Sequence, residues 1–396
     1  MTATLDVFLE ARHVGMISLL PGDSSLFVFD EAYAADPERP VLSQFYLDTS
    51  GGLRHDTRPT RIKSPAWFSN LLPEGRLRDY LAQRGGVHPS RDFQLLRLLG
   101  EDLPGAVRII SHSDEGHPGV PPKQTQPANS PLRFSLAGVQ LKFSALFHQG
   151  GLTIPASGIG GDWIVKLPSP NYSAVPENEA AMLTLARAAG IEVPEHRLVF
   201  VDSIEGLPDL GPFAGKKALA LRRFDRSPGG RIHMEDLAQV FGVFPNDKYE
   251  KVGFARIAEM IGMVMGQSAV QDFIARLAFT ALTGNGDMHL KNWSLIYPDA
   301  RTPHLAPAYD LVSTVPYLPD DRLALNFLGE KNFSKITLAL FRRLAQKAAL
   351  SERETISTVS RVVDAVKRSW PELRRASELP PEIADRIERH MLTMFV

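Results

Sequence analysis

The 396-residue chain contains no cysteine. That excludes disulfides, thiolate nucleophiles and zinc–cysteine sites together, and it fits a reducing compartment. Neither sign of charge is in excess: 44 Lys and Arg stand against 45 Asp and Glu, a net charge of −1. Such a balance gives no broad electrostatic grip on nucleic acid, though it leaves room for a local basic patch. No apolar run approaches the roughly 18 residues of a membrane span. The N-terminus, MTATLDVFLEARHVG, has acidic residues and no long apolar core, so it does not read as a secretory signal. The expectation is a cytoplasmic enzyme or binding protein, away from membranes, with two or three domains for its length.

Apolar patterning divides the chain. Residues 1–110 read as an N-terminal subdomain. Strands are expected at 7–9, 16–20 and 26–29, then helices at 67–81 and 93–99, the second closed by Gly100. Residues 111–131 are rich in Pro, Ser, Gln and Gly and read as a linker or mobile loop. Residues 132–228 read as a small β unit, with strands at 142–147, 163–167, 198–201 and 218–221 and a helix at 179–189. Met182, Leu185, Ala186 and Ala189 give that helix its apolar stripe. Residues 229–396 read as helical, with a strong stripe from Val270 to Leu282 that stops at Gly284, and later helices near 335–349, 352–369 and 381–395. A β-rich part followed by a helical part implies two lobes with a cleft between them.

The stretch most informative about chemistry is Gly284-Asn285-Gly286-Asp287-Met288-His289-Leu290-Lys291-Asn292. A long helix ends before it, an apolar hairpin follows, and Asp310 lies beyond the hairpin. Helix, polar loop, hairpin, aspartate is the order of a phosphoryl-transfer site. There, one Asp orients the acceptor hydroxyl, an Asn five residues on holds Mg²⁺, and a second Asp bridges the metal to ATP. Asp287, Asn292 and Asp310 fit those places, and an Asn–Asp pair plus phosphates is a sufficient oxygen set for Mg²⁺. His289 is expected where a cationic or hydrogen-bonding group reaches the transferring phosphoryl group. Any one such residue alone reads more simply as a capped polar turn; the combination is what carries the chemistry.

Lys166 closes the apolar strand Trp163-Ile164-Val165, as a phosphate-binding lysine does. Alone it would read as a solvated strand end. Its expected partner is Glu179, which shares the inward face with Met182; Glu177 lies off that stripe. A GxGxxG loop, the common source of backbone donors for phosphate, is absent at the start of the β unit. In its place stands Ser135-Leu136-Ala137-Gly138-Val139-Gln140.

At this point the chain resembles the HipA family of bacterial toxin kinases, over nearly its whole length. The landmarks are Phe68 to Gly75, Leu98 to Asp102 with Gly105 to Val107, Ser135 to Gln140, Ile164 to Pro168, and Glu177 to Glu179. Arg223 to Arg226, Glu235-Asp236 with Gln239, and Lys248-Tyr249 complete the set. The resemblance implies an α+β fold: a protein-kinase-like two-lobed body, an extra N-terminal β/α subdomain and an all-helical C-terminal lobe. It implies ATP and Mg²⁺, with Phe224 beside the adenine at the hinge and Ala137, Gly138, Val139 and Gln140 in the loop over ATP. It implies a HipB-like helix-turn-helix antitoxin as partner, contact with DNA only through that complex, and a protein substrate such as an aminoacyl-tRNA synthetase. Arg222 departs from the family, which often has Glu beside the hinge. Two other readings remain: a small-molecule kinase of the aminoglycoside or choline type, against which the N-terminal landmarks speak, and an inactive kinase fold that only binds.

The resemblance also implies autophosphorylation at Ser135, whose plainer role is to cap a turn. Phosphate there adds roughly −1.5 to −2 charges beside ATP and favours expulsion of the loop. Intact-mass and peptide analysis after incubation with ATP should find phosphate on Ser135; an unmodified Ser135 would remove the idea.

Overall fold

The computed structural model describes residues 3–54, 58–111, 142–148, 151–154, 160–207, 213 and 215–395. The first unit is a five-stranded antiparallel sheet. Its strands are β1 (Thr4–Leu9), β2 (Arg12–Leu20), β3 (Ser24–Phe29), β4 (Thr60–Arg61) and β5 (Val107–Ser111), in the order β4-β3-β2-β1-β5. Leu5, Val7 and Leu9 alternate onto one buried face, as strand periodicity requires. That face packs with Trp67, Phe68, Leu95 and Leu96. The helices are α1 (Glu31–Ala35), α2 (Ala66–Ser69), α3 (Gly75–Arg84) and α4 (Asp92–Leu99). The single helix expected at 67–81 is two helices. Pro73 has no N–H to continue α2 and disfavours helical backbone at Leu72, and Gly75 takes a φ of 55°. Ser111, the first residue of the expected linker, closes β5; residues 112–131 lie outside the described residues.

The second unit is a six-stranded sheet of β6 (Lys142–His148), β7 (Gly151–Thr153), β8 (Trp163–Lys166), β9 (His196–Phe200), β10 (Ile204–Glu205) and β11 (Lys217–Arg222). The order is β10-β7-β6-β8-β11-β9. β8 lies between β6 and β11, both antiparallel to it, with Lys166 opposite Lys142 on one side and Leu219 on the other. One helix, α5 (Val175–Ala188), packs against this sheet. Its inward residues Met182, Leu183, Leu185 and Ala186 belong to the same apolar cluster as the C-terminal helices. The other face of the sheet has a cluster of its own around Trp163, Val165, Ala218 and Ala220, and residue 228 falls in the turn of the hairpin that follows.

The hairpin β12 (Arg226–Ser227) and β13 (Gly230–Arg231) leads into the C-terminal lobe. This lobe is built on α6 (Leu237–Val240), α7 (Phe254–Met265), α8 (Gln267–Thr283), α9 (Leu338–Lys347), α10 (Glu352–Ala376) and α11 (Pro381–Thr393). It is not all-helical. A three-stranded antiparallel sheet joins β14 (His233–Asp236), β15 (Ser294–Tyr297) and β16 (His304–Leu305). The last two strands are the hairpin expected after the polar loop. Among the described residues no helix is long and apolar enough to cross a membrane.

Glu235, on β14, pins the first subdomain to this lobe. Its carboxylate is wholly buried and accepts four hydrogen bonds, from Ser43 Oγ and Trp67 Nε1 (3.1 Å) on one oxygen and from Gln44 N (3.0 Å) and Tyr297 Oη (2.6 Å) on the other. Burial pushes its pKa up to about 7 although all four donors pull it down. Hydroxyls can rotate to suit a new partner, but an indole N–H and a backbone N–H cannot, and each oxygen faces one. Glu235→Gln must therefore aim its amide N–H₂ at a fixed donor whichever way it flips. We expect a loss of about 1–3 kcal/mol, read as a lower urea midpoint at unchanged slope; an unmoved midpoint would show that the pin tolerates an amide.

Candidate active site

The helix α8 delivers the polar loop. Gly284 ends it in the left-handed region (φ 66°), and Asn285 N–H closes back onto Thr280 O at 3.0 Å. Asn285 then organises both aspartate segments. Its Oδ1 accepts from Asp287 N (3.0 Å), and its Nδ2 donates to the backbone carbonyl of Asp310 (3.3 Å). The Asp287 carbonyl accepts from Asn292 Nδ2 (2.8 Å) and His289 N (2.8 Å), which folds the loop into a closed turn. Asn292 thus spends its amide nitrogen on the loop and keeps its oxygen. Asp287 Oδ1 accepts from Tyr249 Oη at 2.7 Å. Asp287 is exposed to the cleft, yet desolvation by the surrounding protein pushes its carboxyl above the ordinary range, against the opposing pull of Tyr249 and Lys248.

Across the cleft, Lys166 Nζ donates to Glu179 Oε1 at 2.5 Å and to Asp310 Oδ1. The strand-end lysine and the helix glutamate expected to pair do so. Lys142, opposite Lys166 in the sheet, places its Nζ 3.9 Å from Asp310 Oδ2. Burial raises the Asp310 carboxyl, but Lys166 and Lys142 outweigh it and hold the group well below the ordinary range. Glu179 goes the other way: its burial outweighs Lys166, and Asp310 adds repulsion. The second Glu179 oxygen is buried with no partner among the described residues. Asp310 itself has a φ of 53°, a left-handed conformation costly for a side-chain residue, and such strain gathers at functional sites.

The donors suit Mg²⁺ in a particular way. Among the described residues no three His, Asp or Glu form a metal cage. A free Asn292 oxygen and the Asp310 carboxylate are hard ligands, few in number, as for a cation that takes its remaining oxygens from phosphate and water.

His289 departs from part of its expectation. It is 6% exposed, meets the Tyr249 ring edge-on at 4.9 Å, and has Nδ1 buried without a partner among the described residues. Burial, helped by the nearby Lys248 charge, lowers its pKa to about 3. At that pKa the ring is neutral near neutral pH, which favours the hydrogen-bonding half of its expected role over the cationic half. Phe224 lies two residues beyond β11, half-buried, with its ring 5.6 Å from Tyr309, the neighbour of Asp310. Arg223 and Arg226 grip Asp225 beside it, and Asp225 also accepts from Gly105 N at 2.9 Å. Ser135, Ala137, Gly138, Val139 and Gln140 lie outside the described residues. Sequence reasoning assigned no role to Asn285, Tyr249 or Glu74. Asn285 was legible as the loop's amide two residues before Asp287; Glu74 and Tyr249 stood among the landmarks of the resemblance, with nothing local to say what they contact.

Two family models match the chain, "HipA N-terminal domain" over residues 5–110 and "HipA-like C-terminal domain" over residues 134–370. A Sinorhizobium fredii protein named "Putative kinase Y4dM" is 49% identical over 398 residues, covering 98% of this chain and 97% of its own. The "Serine/threonine-protein kinase toxin HipA" of Shewanella oneidensis is 27% identical over 361 residues, covering 80% of this chain and 76% of its own. The HipA of the Shewanella oneidensis complex of HipA, HipB and operator DNA shares the fold, with a TM-score of 0.75 at 23% identity over 98% of this chain and 96% of that one.

A neutral His289 is directly measurable. In ¹⁵N-labelled protein its ring shifts should stay those of an uncharged imidazole between about pH 5 and 8. Titration near the ordinary value of about 6.5 would restore the cationic role.

Proposed function

The chain belongs to the HipA-like kinase family, and from that premise we propose that it is an ATP- and Mg²⁺-dependent serine/threonine protein kinase. The observation that carries the reading is the convergence of Lys166, Glu179 and Asp310 opposite a loop that presents Asp287 and Asn292. Bound ATP supplies the phosphoryl group, and Mg²⁺ neutralises the charge on its phosphates. In this reading Asn292 and Asp310 hold the metal, and Lys166, steadied by Glu179, binds phosphate oxygens. Phe224 lies along the adenine, and Ala137 to Gln140 cover the nucleotide. Asp287 orients the acceptor hydroxyl and takes its proton. Desolvation by the surrounding protein raises its carboxyl above the ordinary range, which makes it a stronger base.

The same reading makes the chain the toxin of a toxin–antitoxin pair that autophosphorylates at Ser135 and acts on a protein, with aminoacyl-tRNA synthetases as a candidate class. Its partner would be a HipB-like helix-turn-helix antitoxin, through which it would reach DNA; support comes from the fold it shares with the HipA of an operator complex. The match to the N-terminal HipA domain favours this over a small-molecule kinase, in which that subdomain has no place.

Asp287→Asn keeps the size of the side chain and removes the base. It should lower phosphoryl transfer by about 10²–10⁴-fold with ATP binding retained, and it should abolish any growth arrest on expression. Phosphoproteomics on wild type and variant would name the substrate. Equal growth and equal phosphosites in the two would replace the kinase by a binding scaffold.

A further inference from the structure

The N-terminal subdomain reaches the catalytic loop through Glu74 and Asn70. Glu74, the residue preceding α3, accepts from Lys248 Nζ at 2.7 Å on one oxygen and from Lys291 Nζ at 3.1 Å on the other. Lys291 belongs to the loop itself, one residue before Asn292. It also donates to Asn70 O at 2.8 Å, again in the N-terminal subdomain. Lys248 is the neighbour of Tyr249, and its backbone carbonyl accepts from Leu290 N at 3.3 Å. The two lysines hold the Glu74 carboxyl below its ordinary range against its burial, so it stays charged. Glu74 therefore joins two chain segments: the one that carries Tyr249 and the one that carries Asp287. Those segments meet again where Tyr249 Oη donates to Asp287 Oδ1 at 2.7 Å, with the Tyr249 ring edge-on to His289.

A role as domain glue alone explains the lysines but not the tyrosine. Tyr249 is 38% exposed and takes no part in the Glu74–lysine contacts, yet its hydroxyl is directed at the residue that takes the acceptor proton. A carboxylate free to rotate about its Cβ–Cγ bond would present either oxygen at random. A fixed donor on Oδ1 commits Oδ2 to the acceptor, and small errors in such aim are costly in rate.

We propose that Tyr249 and Glu74 are positioning residues for Asp287, so that the N-terminal subdomain is a working part of the active site. Tyr249 fixes one oxygen of the base, and Glu74 fixes the segment of Tyr249 against the catalytic loop. This rests on the kinase reading above. The test uses the full chain and Mg·ATP, with water as the acceptor, since hydrolysis needs no identified substrate. Four proteins are compared, namely wild type, Tyr249→Phe, Glu74→Gln and the double variant, for kcat, for KM of ATP and for thermal midpoint. Each single variant should lower kcat about tenfold and leave KM for ATP within about twofold. Tyr249→Phe should melt as wild type does. The double variant should lose much less than the product of the single losses, because both act through one aspartate. A Tyr249→Phe kcat equal to or above that of wild type overturns the proposal, as does full multiplicativity in the double variant. If Glu74→Gln fails to fold, Tyr249→Phe decides alone. A wild-type chain without ATP turnover overturns the kinase reading and this inference with it; an active wild type with an indifferent Tyr249→Phe overturns the inference only.

Discussion

Lys166 has to keep its charge where water does not reach it. Removing an ammonium group from water costs several kcal/mol, and only close carboxylates offset that cost. The two available come from distant parts of the chain, Glu179 on α5 and Asp310 beyond the β15–β16 hairpin. Much of the architecture serves to bring them there. β8 is held from both sides by β6 and β11, so the lysine leaves the sheet at a fixed point. Asn178, next to Glu179, exchanges two hydrogen bonds with the Ser313 backbone and so ties the start of α5 to the segment of Asp310. Asn285 ties that segment in turn to Asp287. One buried cation and two amide side chains set the distance between the two walls of the cleft.

The short motifs scattered along the sequence turn out to be halves of contacts. Asn70 and Glu74 meet Lys248 and Lys291. Asp102 and Gly105 meet Arg226 and Asp225. Ser43 and Trp67 meet Glu235, while Gln239 bonds the Trp67 carbonyl and boxes Asp236 into the start of α6. Buried Ser43, Trp67 and Asn70 of the N-terminal subdomain are therefore satisfied by the C-terminal lobe, so separating the two would leave charges and N–H donors stranded.

Legibility followed range. The catalytic loop could be read because α8, Gly284, Asp287 and Asn292 are neighbours in sequence, and the Lys166–Glu179 pair because a strand end and a helix stripe are periodic signals. The break at Pro73 was also written locally, in Pro73 and Gly75, and the apolar Leu72 and Leu77 on either side masked it. α7 was passed over despite Phe254, Ile257, Ala258 and Ile261 at helical spacing, and α10 runs on through Pro371 to Ala376 rather than stopping near 369. β14 had no such signal: its partner β15 lies some sixty residues on, and only that pairing makes it a strand. The charge state of His289 was illegible for the same reason, since its burial depends on Tyr249, a residue from another element. The left-handed backbone of Asp310 is likewise imposed from outside.

The placement of α5 has a consequence for control. Kinase-like enzymes can be throttled by letting the glutamate-bearing helix swing away from its lysine, provided that helix travels with the upper sheet alone. Here the inward stripe of α5 is sealed into the same apolar mass as α8 and α10. Swinging the helix would open that mass and expose several leucine-sized side chains at once, a penalty of some kcal/mol for each. The lysine–glutamate pair is thus fastened to the same packing that holds α8 and α10 together, and moving the glutamate means opening that packing.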